Sequence, residues 1–311
     1  MGCTARGTRN STLVDAPPSI IETWVVHTRA CDQKLGSDPF SSMTVGRFDA
    51  IGEPLGGALP ETLLARMADR PSVFLIHGYG YGYRDAVEEA VEVRAGLEAG
   101  GGLPPEAIFI VFDWPSEREL GDFYSDINDK ARRAQVASYH LARFLQEAPP
   151  GSRICLMGQS DGGRVALTTL HFLAGAVLPA FWFEPEAQLS SGRPDLHLHA
   201  VILNAAAGHH WLDPGERLDH ALSATEALLN LRNSGDYALA FYIFGSYTGF
   251  RGAIGRVGLN SHDLRKLGPL SARVEQFNLN PMVGISHTTF QQALGIPDVA
   301  EKIARYTSWS Q

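Results

Sequence analysis

The pattern Gly-Gln-Ser-Asp-Gly at residues 158–162 constrains this chain more than any other feature of its sequence. It follows an apolar run at residues 154–157 and precedes a helical pattern at residues 164–170, so it lies between a buried strand and a helix. A serine on so tight a turn has a strained backbone and needs small residues two positions before and after it. The pattern therefore predicts an α/β fold in which Ser160 stands exposed at the end of a strand, as a nucleophile must.

Short apolar runs alternate with helical patterns along most of the chain. The predicted strands cover residues 24–28, 42–48, 72–76, 107–112, 154–157, 198–203, 227–231 and 272–277. Predicted helices cover residues 84–97 and 130–146, and a further helix follows Ser160. Continuous apolar strands that alternate with helices are typical of a mostly parallel sheet of about eight strands with helices on both faces.

The length and composition fit one large domain. The chain has 311 residues, of which 44% are hydrophobic, and α/β proteins of this size often form a single domain. We expect residues 16–311 to form it, after a polar and disordered N-terminus at residues 1–15. The segment 177–196 interrupts the alternation of strands and helices, and it could be a cap over a pocket or a surface connection.

Charge and cysteine usage weigh against several classes of function. The net charge is −8 and the basic residues are scattered, which argues against binding to nucleic acid or to a membrane surface. No apolar stretch approaches the roughly 20 residues that cross a bilayer, so we expect a cytoplasmic protein. Cys3, Cys31 and Cys155 are an odd number without metal-ligand spacing, and a disulfide framework is not expected. The oligomeric state is left open.

A glycine-flanked turn, His77-Gly78-Tyr79-Gly80, follows the predicted strand at residues 72–76. In an open α/β sheet, ligands bind beyond the carboxyl ends of the strands. The N–H groups of Tyr79 and Asp161 could both reach a substrate oxygen there and form a two-donor oxyanion hole.

Two further polar residues follow later strands. Asp236 lies on a glycine-containing turn after the strand at residues 227–231, and His287 follows the last predicted strand. The chain order Ser160, Asp236, His287 is the order that a nucleophile-elbow site uses for its nucleophile, acid and base. The sequence thus predicts acyl transfer by a Ser-His-Asp triad, which requires no metal or organic cofactor.

Several motifs together resemble those of the α/β-hydrolases, and in particular a bacterial family of that fold whose function is not assigned. They span roughly residues 70 to 290 and comprise Leu75-Ile76-His77-Gly78-Tyr79, Phe112-Asp113-Trp114-Pro115-Ser116, the serine turn at residues 158–162, the segment 233–239 and Ser286-His287. The resemblance implies the α/β-hydrolase fold and an enzyme with an activated serine. It is much less specific for the substrate.

Asp161 departs from the usual pattern, because the residue after the nucleophile is more often apolar or amide-bearing. An ionised carboxylate near a developing oxyanion would oppose it by a few kcal/mol if poorly screened. We expect the Asp161 side chain to turn away into hydrogen bonds. The alternative is that it selects a cationic or proton-donating substrate.

Other residues offer rival readings of the site. Asp213 follows the strand at residues 198–203 and is the alternative acid. His209 and His210 lie in the same loop and could line the pocket. His197 and His199 alternate on one strand face as metal ligands can, but they lie at the start of the strand, away from the expected site.

The predicted substrate is a small acyl compound, with a carboxylic ester as the leading class. Thioesterase, amidase, peptidase and acyltransferase chemistry would use the same residues. The alternative from another class is a non-catalytic binding or scaffold protein that keeps the fold.

Overall fold

The computed structural model describes residues 21–117, 123–180, 185–242 and 251–309. The predicted disorder of residues 1–15 lies outside these ranges, as does part of the segment 177–196. The strands of the described residues are β1 (Glu22–His27), β2 (Thr44–Phe48), β3 (Pro54–Ala58), β4 (Ser72–Ile76), β5 (Ile108–Asp113), β6 (Arg153–Gln159), β7 (His197–Leu203), β8 (Ala227–Arg232) and β9 (Val274–Asn278).

These nine strands form one sheet in the order β3-β2-β1-β5-β4-β6-β7-β8-β9. β2 is antiparallel to both of its neighbours, and all other neighbouring strands are parallel. The predicted α/β-hydrolase sheet is therefore confirmed with one strand more than expected. The additional strand is β3, an edge strand in which two glycines and a proline replace the apolar alternation that would have indicated it.

The helices of the described residues lie between and after the strands. They are α1 (Pro60–Arg66), α2 (Tyr83–Ala99), α3 (Phe123–Gln146), α4 (Asp161–Leu173), α5 (Ala221–Ala224), α6 (Tyr237–Ala240), α7 (Ile254–Val257), α8 (Ser261–Leu267), α9 (Asn280–Val283), α10 (Phe290–Leu294) and α11 (Pro297–Thr307). Within the described ranges, 3₁₀ helices also cover His209–Leu212 and Gly268–Arg273.

Apolar side chains fill both faces of the sheet. Along β4, Phe74 and Ile76 join the cluster that packs against α1, α3 and α4, whereas Val73 and Leu75 join the cluster that packs against α2, α10 and α11. This division follows from the two-residue period of a strand. Burial on both faces explains why the strands are apolar without alternation.

The described part of the segment 177–196 is pinned to the body of the domain. Leu178 and Ala187 pair through two backbone hydrogen bonds. The guanidinium of Arg193 donates to the carbonyl of Ala148, which precedes β6 and so lies at the amino end of the parallel strands. Capping of a pocket by this segment stays a prediction.

Candidate active site

Ser160 occupies a strained turn between β6 and α4. Its φ of 53° and ψ of −120° place it in a region of backbone conformation that residues other than glycine rarely adopt. The Ser160 N–H donates to the carbonyl of Leu203 at 2.9 Å, which ties the turn to the end of β7. The surrounding contacts hold the backbone of Ser160 in this conformation. The hydroxyl is therefore fixed at the carboxyl edge of the sheet.

The glycines around Ser160 are required by close backbone approach. A Cβ atom on Gly162 would lie 2.1 Å from the carbonyl oxygen of Ile76, and one on Gly158 would lie 2.3 Å from the carbonyl oxygen of Gly162. These distances are shorter than any real Cβ contact, so neither position tolerates a side chain. Gly162 is therefore required by the approach of the turn to the end of β4, and Gly158 by the closeness of the turn to its own strand.

The turn after β4 lies directly beside Ser160. A Cβ atom on Gly78 would be 3.2 Å from the Cβ atom of Ser160 and 3.3 Å from the carbonyl oxygen of Gln159. The next residue is Tyr79, whose N–H is one predicted oxyanion donor. The other predicted donor, the N–H of Asp161, belongs to the first turn of α4, where backbone N–H groups lack partners within the helix.

Residues 114–116 hold this turn in place through hydrogen bonds. The indole N–H of Trp114 donates to the carbonyl of His77 at 3.0 Å, and the N–H of Gly80 donates to the carbonyl of Ser116 at 2.7 Å. The Ser116 hydroxyl adds a contact of 3.2 Å to the carbonyl of Tyr81. The motif at residues 112–116 therefore has a structural role, which is to hold the turn that carries Tyr79.

Asp113 anchors the same segment at the end of β5. Its carboxylate is fully buried and accepts hydrogen bonds from His27 Nδ1 at 2.8 Å and from Arg29 Nε at 2.7 Å. Arg29 also donates to the carbonyl of Tyr81 at 3.1 Å, which links the ion pair to the turn. Burial alone would raise the pKa of Asp113, but the hydrogen bonds, from His27 foremost, hold it well below its ordinary value.

Asp236 and His287 form a short hydrogen bond. His287 Nδ1 lies 2.6 Å from Asp236 Oδ2, and the Asp236 carboxylate is fully buried while the imidazole is partly exposed. The other oxygen of Asp236 accepts the N–H of Leu239 at 3.0 Å, so the carboxylate also caps α6. A carboxylate at this position accepts a hydrogen bond from Nδ1–H and so fixes the imidazole tautomer.

Two asparagines hold the His287 loop at the edge of the sheet that bears Ser160. Asn233, after β8, donates through its side chain to the carbonyl of Ser286 at 2.7 Å. Asn204 directly follows the residue that accepts the Ser160 N–H, and it donates to the carbonyl of Thr288 at 3.3 Å. No hydrogen bond joins the Ser160 hydroxyl to His287 in the described structure. Such bonds are often long in the free enzyme and tighten with substrate.

The Asp161 side chain turns into an ion pair with Arg164. Arg164 Nη1 lies 3.3 Å from Asp161 Oδ1, and both side chains are largely buried, with 4% and 15% of their surface exposed. Burial raises the pKa of Asp161, and the charges of Arg164 and His287 oppose that rise. The side chain is thus engaged by Arg164, and its role toward a substrate stays a prediction.

Arg164 also braces the backbone next to the elbow. Its Nε and Nη2 atoms donate to the carbonyl of Ala206 at 2.8 and 2.6 Å, and its guanidinium lies over the ring of Trp211. The N–H of Ala206 in turn donates to the carbonyl of Ser160 at 2.9 Å. Arg164 thus connects Asp161 to the loop that supports Ser160.

Comparison with known proteins agrees with this architecture. Residues 59–181 match a family model described as alpha/beta hydrolase of unknown function (DUF900). The chain has the α/β-hydrolase fold. The resemblance inferred from the motifs is thereby confirmed.

Solved structures similar to this α/β-hydrolase include two esterases. Esterase B from Lactobacillus rhamnosis (HN001) is 13% identical, with a TM-score of 0.42, and the match covers 93% of this chain and 84% of that chain. An esterase from the bacterial hormone-sensitive lipase family is 12% identical, with a TM-score of 0.39, and the match covers 86% and 80% of the two chains. No curated protein sequence matches.

The rival acid of this α/β-hydrolase is engaged elsewhere. Asp213 is buried and accepts a hydrogen bond from Lys266 Nζ at 2.7 Å, whereas His287 bonds to Asp236. In the same loop, His209 Nδ1 lies 3.0 Å from Asp263 Oδ2.

The histidines of β7 also have structural partners. His197 Nδ1 lies 2.7 Å from a carboxylate oxygen of Glu226, and His199 bonds to the carbonyl of Tyr306 and stacks on Trp309. Within the described ranges, no group of three or more His, Cys, Asp or Glu residues is arranged to hold a metal. Neither histidine contacts the elbow.

Cys31 and Cys155 are buried thiols, and burial raises the pKa of both, which makes them inert rather than reactive.

A pocket of about 440 Å³ lies near residues that precede β6, at the sheet edge opposite Ser160. It is lined by Phe40, Glu61, Leu64, Ala65, Glu147 and Pro149.

None of the helices in the described ranges combines the length and apolar character needed to cross a bilayer.

Sequence reasoning missed the charged residues that support the site. Arg164 lies three residues after Asp161 on a helix, and this spacing is a signal for an ion pair that the sequence does carry. Arg29 and His27 contact Asp113 from a distant part of the chain, so only the tertiary structure reveals their role.

Proposed function

We propose that this protein is a serine hydrolase that cleaves a carboxylic ester, or a related acyl compound, by means of Ser160, His287 and Asp236. The observation that carries the proposal is the 2.6 Å hydrogen bond between His287 and Asp236, at the sheet edge where Ser160 is held at a positive φ. An oriented imidazole and a strained, presented serine are the two parts that activated-serine chemistry needs.

In the first half-reaction, His287 accepts the Ser160 proton as the hydroxyl oxygen attacks the carbonyl carbon of the substrate. The tetrahedral intermediate collapses when its bond to the leaving group breaks, and His287 returns the proton to that group. Asp236 stays ionised throughout and stabilises the imidazolium. The product that remains is an acyl ester of Ser160.

In the second half-reaction, water replaces the leaving group. His287 accepts a proton from water as the water oxygen attacks the acyl ester, and it then returns the proton to Ser160 as the acid departs. In both steps the negative oxygen of the intermediate receives hydrogen bonds from the N–H groups of Tyr79 and Asp161. Donors of this kind are each worth about 10²–10³ in rate.

The ion pair with Arg164 supports the use of Asp161 at this position. A free carboxylate next to the oxyanion would work against the two N–H donors. The guanidinium at 3.3 Å compensates the charge, so the Asp161 backbone can serve while its side chain does little harm.

Thioesters, amides and acyl transfer to an acceptor other than water would use the same residues. A carboxylic ester is the class we propose, because ester hydrolysis is the reaction that such triads most commonly catalyse. The cytoplasmic location, and the expectation that nucleic acid and membranes are not partners, stay predictions.

The proposal is tested by hydrolysis of a panel of p-nitrophenyl esters, thioesters and amides by the wild type and by Ser160→Ala. We expect turnover of esters by the wild type and a loss of about 10³-fold or more in Ser160→Ala. Ser223→Ala changes an exposed serine that is remote from the elbow and is the matched control. Undiminished turnover by a folded Ser160→Ala protein would overturn the proposal.

A further inference from the structure

The two segments that flank the Asp236–His287 pair contain no charged residue. Residues 237–242 and 276–297 lack Asp, Glu, Lys and Arg, although 19% of the whole chain is charged. Each segment is adjacent in sequence to one member of the pair or includes it. Within these two segments the residues next to the imidazole are therefore uncharged, although the net charge of the protein is −8.

Four large apolar side chains of these segments are exposed. We call Tyr237, Phe241, Met282 and Ile285 the apolar rim. Their exposed fractions are 59%, 62%, 41% and 68%. Among the other large exposed apolar side chains of the described residues, Ile51, Leu55 and Leu59 lie in or near β3 at the far edge of the sheet, and Tyr83, Val177 and Val257 lie on other segments.

Direct contacts bring the two segments of the rim together. The N–H of Tyr237 donates to the carbonyl of Ile285 at 3.2 Å, so the first residue of α6 touches the residue two positions before His287. A Cβ atom on Gly235 would lie 2.2 Å from Asn280 Nδ2, which shows how closely the Asp236 turn packs on α9. Tyr237 and Phe241 are four residues apart and lie on the same side of the α6 turn. The rim thus borders the catalytic imidazole.

An exposed apolar surface beside a reactive group is typical of a site for an apolar ligand. We propose that the apolar rim binds a neutral, unbranched aliphatic chain of the substrate ester, on either the acyl or the alcohol side of the scissile bond. This inference rests on the proposed function, because that function makes the ester a substrate. The rim binds the chain whether or not the ester is cleaved. A charged chain has no counter-ion in these two segments.

The proposal is tested first by binding, which does not depend on turnover. Calorimetric titration of the full chain with methyl ketones from 2-butanone to 2-undecanone measures affinity as a function of chain length. Full burial of a methylene raises affinity about fourfold, so on a partly open rim we expect about twofold for each methylene. In Ile285→Ser and Phe241→Ser this dependence is expected to weaken, whereas the control Ile51→Ser keeps it. Equal dependence in all four proteins, or none in the wild type, would overturn the proposal.

Hydrolysis then distinguishes the two sides of the ester. One arm extends the acyl chain of p-nitrophenyl esters from acetate to decanoate, and the other extends the alcohol of acetate esters from ethyl to octyl. We expect kcat/KM of the wild type to rise with length in one arm, and the ratio of longest to shortest chain to fall at least fivefold in Ile285→Ser. Chain-dependent ketone binding without any ester cleavage would reject the proposed function and leave the rim proposal standing. Cleavage with ratios that the rim variants do not change would reject the rim proposal alone.

Discussion

Arg164 Nη1 lies 3.3 Å from Asp161 Oδ1, within the first turn of the helix that begins at Asp161. The pair places a carboxylate next to a predicted oxyanion donor and supplies the charge that compensates it. The same guanidinium holds the carbonyl of Ala206, whose N–H bonds to the carbonyl of Ser160. The side chains of Asp161 and Arg164 therefore form one connected unit beside Ser160.

Replacing Arg164 alone should lower both stability and turnover. Arg164→Gln leaves the Asp161 carboxylate buried without its cation, which we expect to cost about 3 kcal/mol of unfolding free energy. The uncompensated charge would also oppose the oxyanion, so we expect kcat to fall at least tenfold, with a deficit that grows as rising pH ionises Asp161. Urea unfolding and kcat per titrated active site measure the two effects.

The double variant Asp161→Asn/Arg164→Gln separates charge from structure. Removal of the carboxylate removes the repulsion, so kcat in the double variant should recover most of the loss, and its pH-dependent deficit should disappear. If the double variant is as slow as Arg164→Gln at every pH, the compensation of charge is not what Arg164 provides. Asp161→Asn alone should hydrolyse neutral esters about as well as the wild type.

The choice between the two candidate acids is testable by a matched pair of variants. Asp236→Asn keeps the shape of the side chain but no longer holds the His287 tautomer, and losses of about 10⁴-fold in kcat accompany this change in other triads. Asp213→Asn weakens the contact with Lys266, an exposed lysine, and should cost roughly 1 kcal/mol or less of stability with little effect on kcat. A larger loss of kcat in Asp213→Asn than in Asp236→Asn would reverse the assignment.

Asp113→Asn should destabilise the protein in a pH-dependent way. The carboxylate is buried between Arg29 and His27, and its pKa lies well below the model-peptide value of 3.8. Its contribution to stability is therefore complete above about pH 4 and is lost as pH falls further. We expect Asp113→Asn to lose about 3 kcal/mol at neutral pH and to approach the wild type in acid, as followed by urea unfolding at several pH values. A difference between the two proteins that does not change with pH would count against this account.

Glu89 should show the opposite dependence on pH. It lies in α2, is almost fully buried, and burial raises its pKa to about 7 from 4.5, against a smaller opposing effect of the Tyr81 hydroxyl. The folded protein therefore binds the proton more tightly than the unfolded chain, and stability should fall as pH rises from 4.5 through 7. Glu89→Gln should remove this decline and gain up to about 3 kcal/mol on the wild type at pH 8. A Glu89→Gln protein that is less stable than the wild type at pH 8 would contradict the prediction.

Most of the fold follows from local sequence patterns. Strands such as β4 and β7 are continuous apolar runs because both of their faces are buried, and that pattern survives without any knowledge of the tertiary structure. β3 has no such pattern, because its residues are mostly exposed and its pairing with β2 is made by backbone groups alone. The extra strand was therefore not predictable from periodicity.

The candidate site likewise has residues that the sequence predicts and residues that it does not. Ser160, Asp236 and His287 stand after strand ends with glycine or polar neighbours, and the chain order links them. The partner of Asp113 is different, because Arg29 is remote in sequence and only the neighbouring positions of β1 and β5 in the sheet bring the two together. The exposure of the apolar rim likewise depends on how α6 packs beside the His287 loop.

The central claim is that Ser160 is an activated nucleophile, and covalent labelling tests it most directly. A fluorophosphonate forms a bond to an activated serine and releases fluoride, and trypsin then yields the peptide 154–164, whose only serine is Ser160. We predict one rapid adduct, located on this peptide by mass spectrometry, and its loss in Ser160→Ala and in His287→Gln. A folded wild-type protein that forms no adduct on this peptide, or a His287→Gln variant that labels as fast as the wild type, would contradict the account.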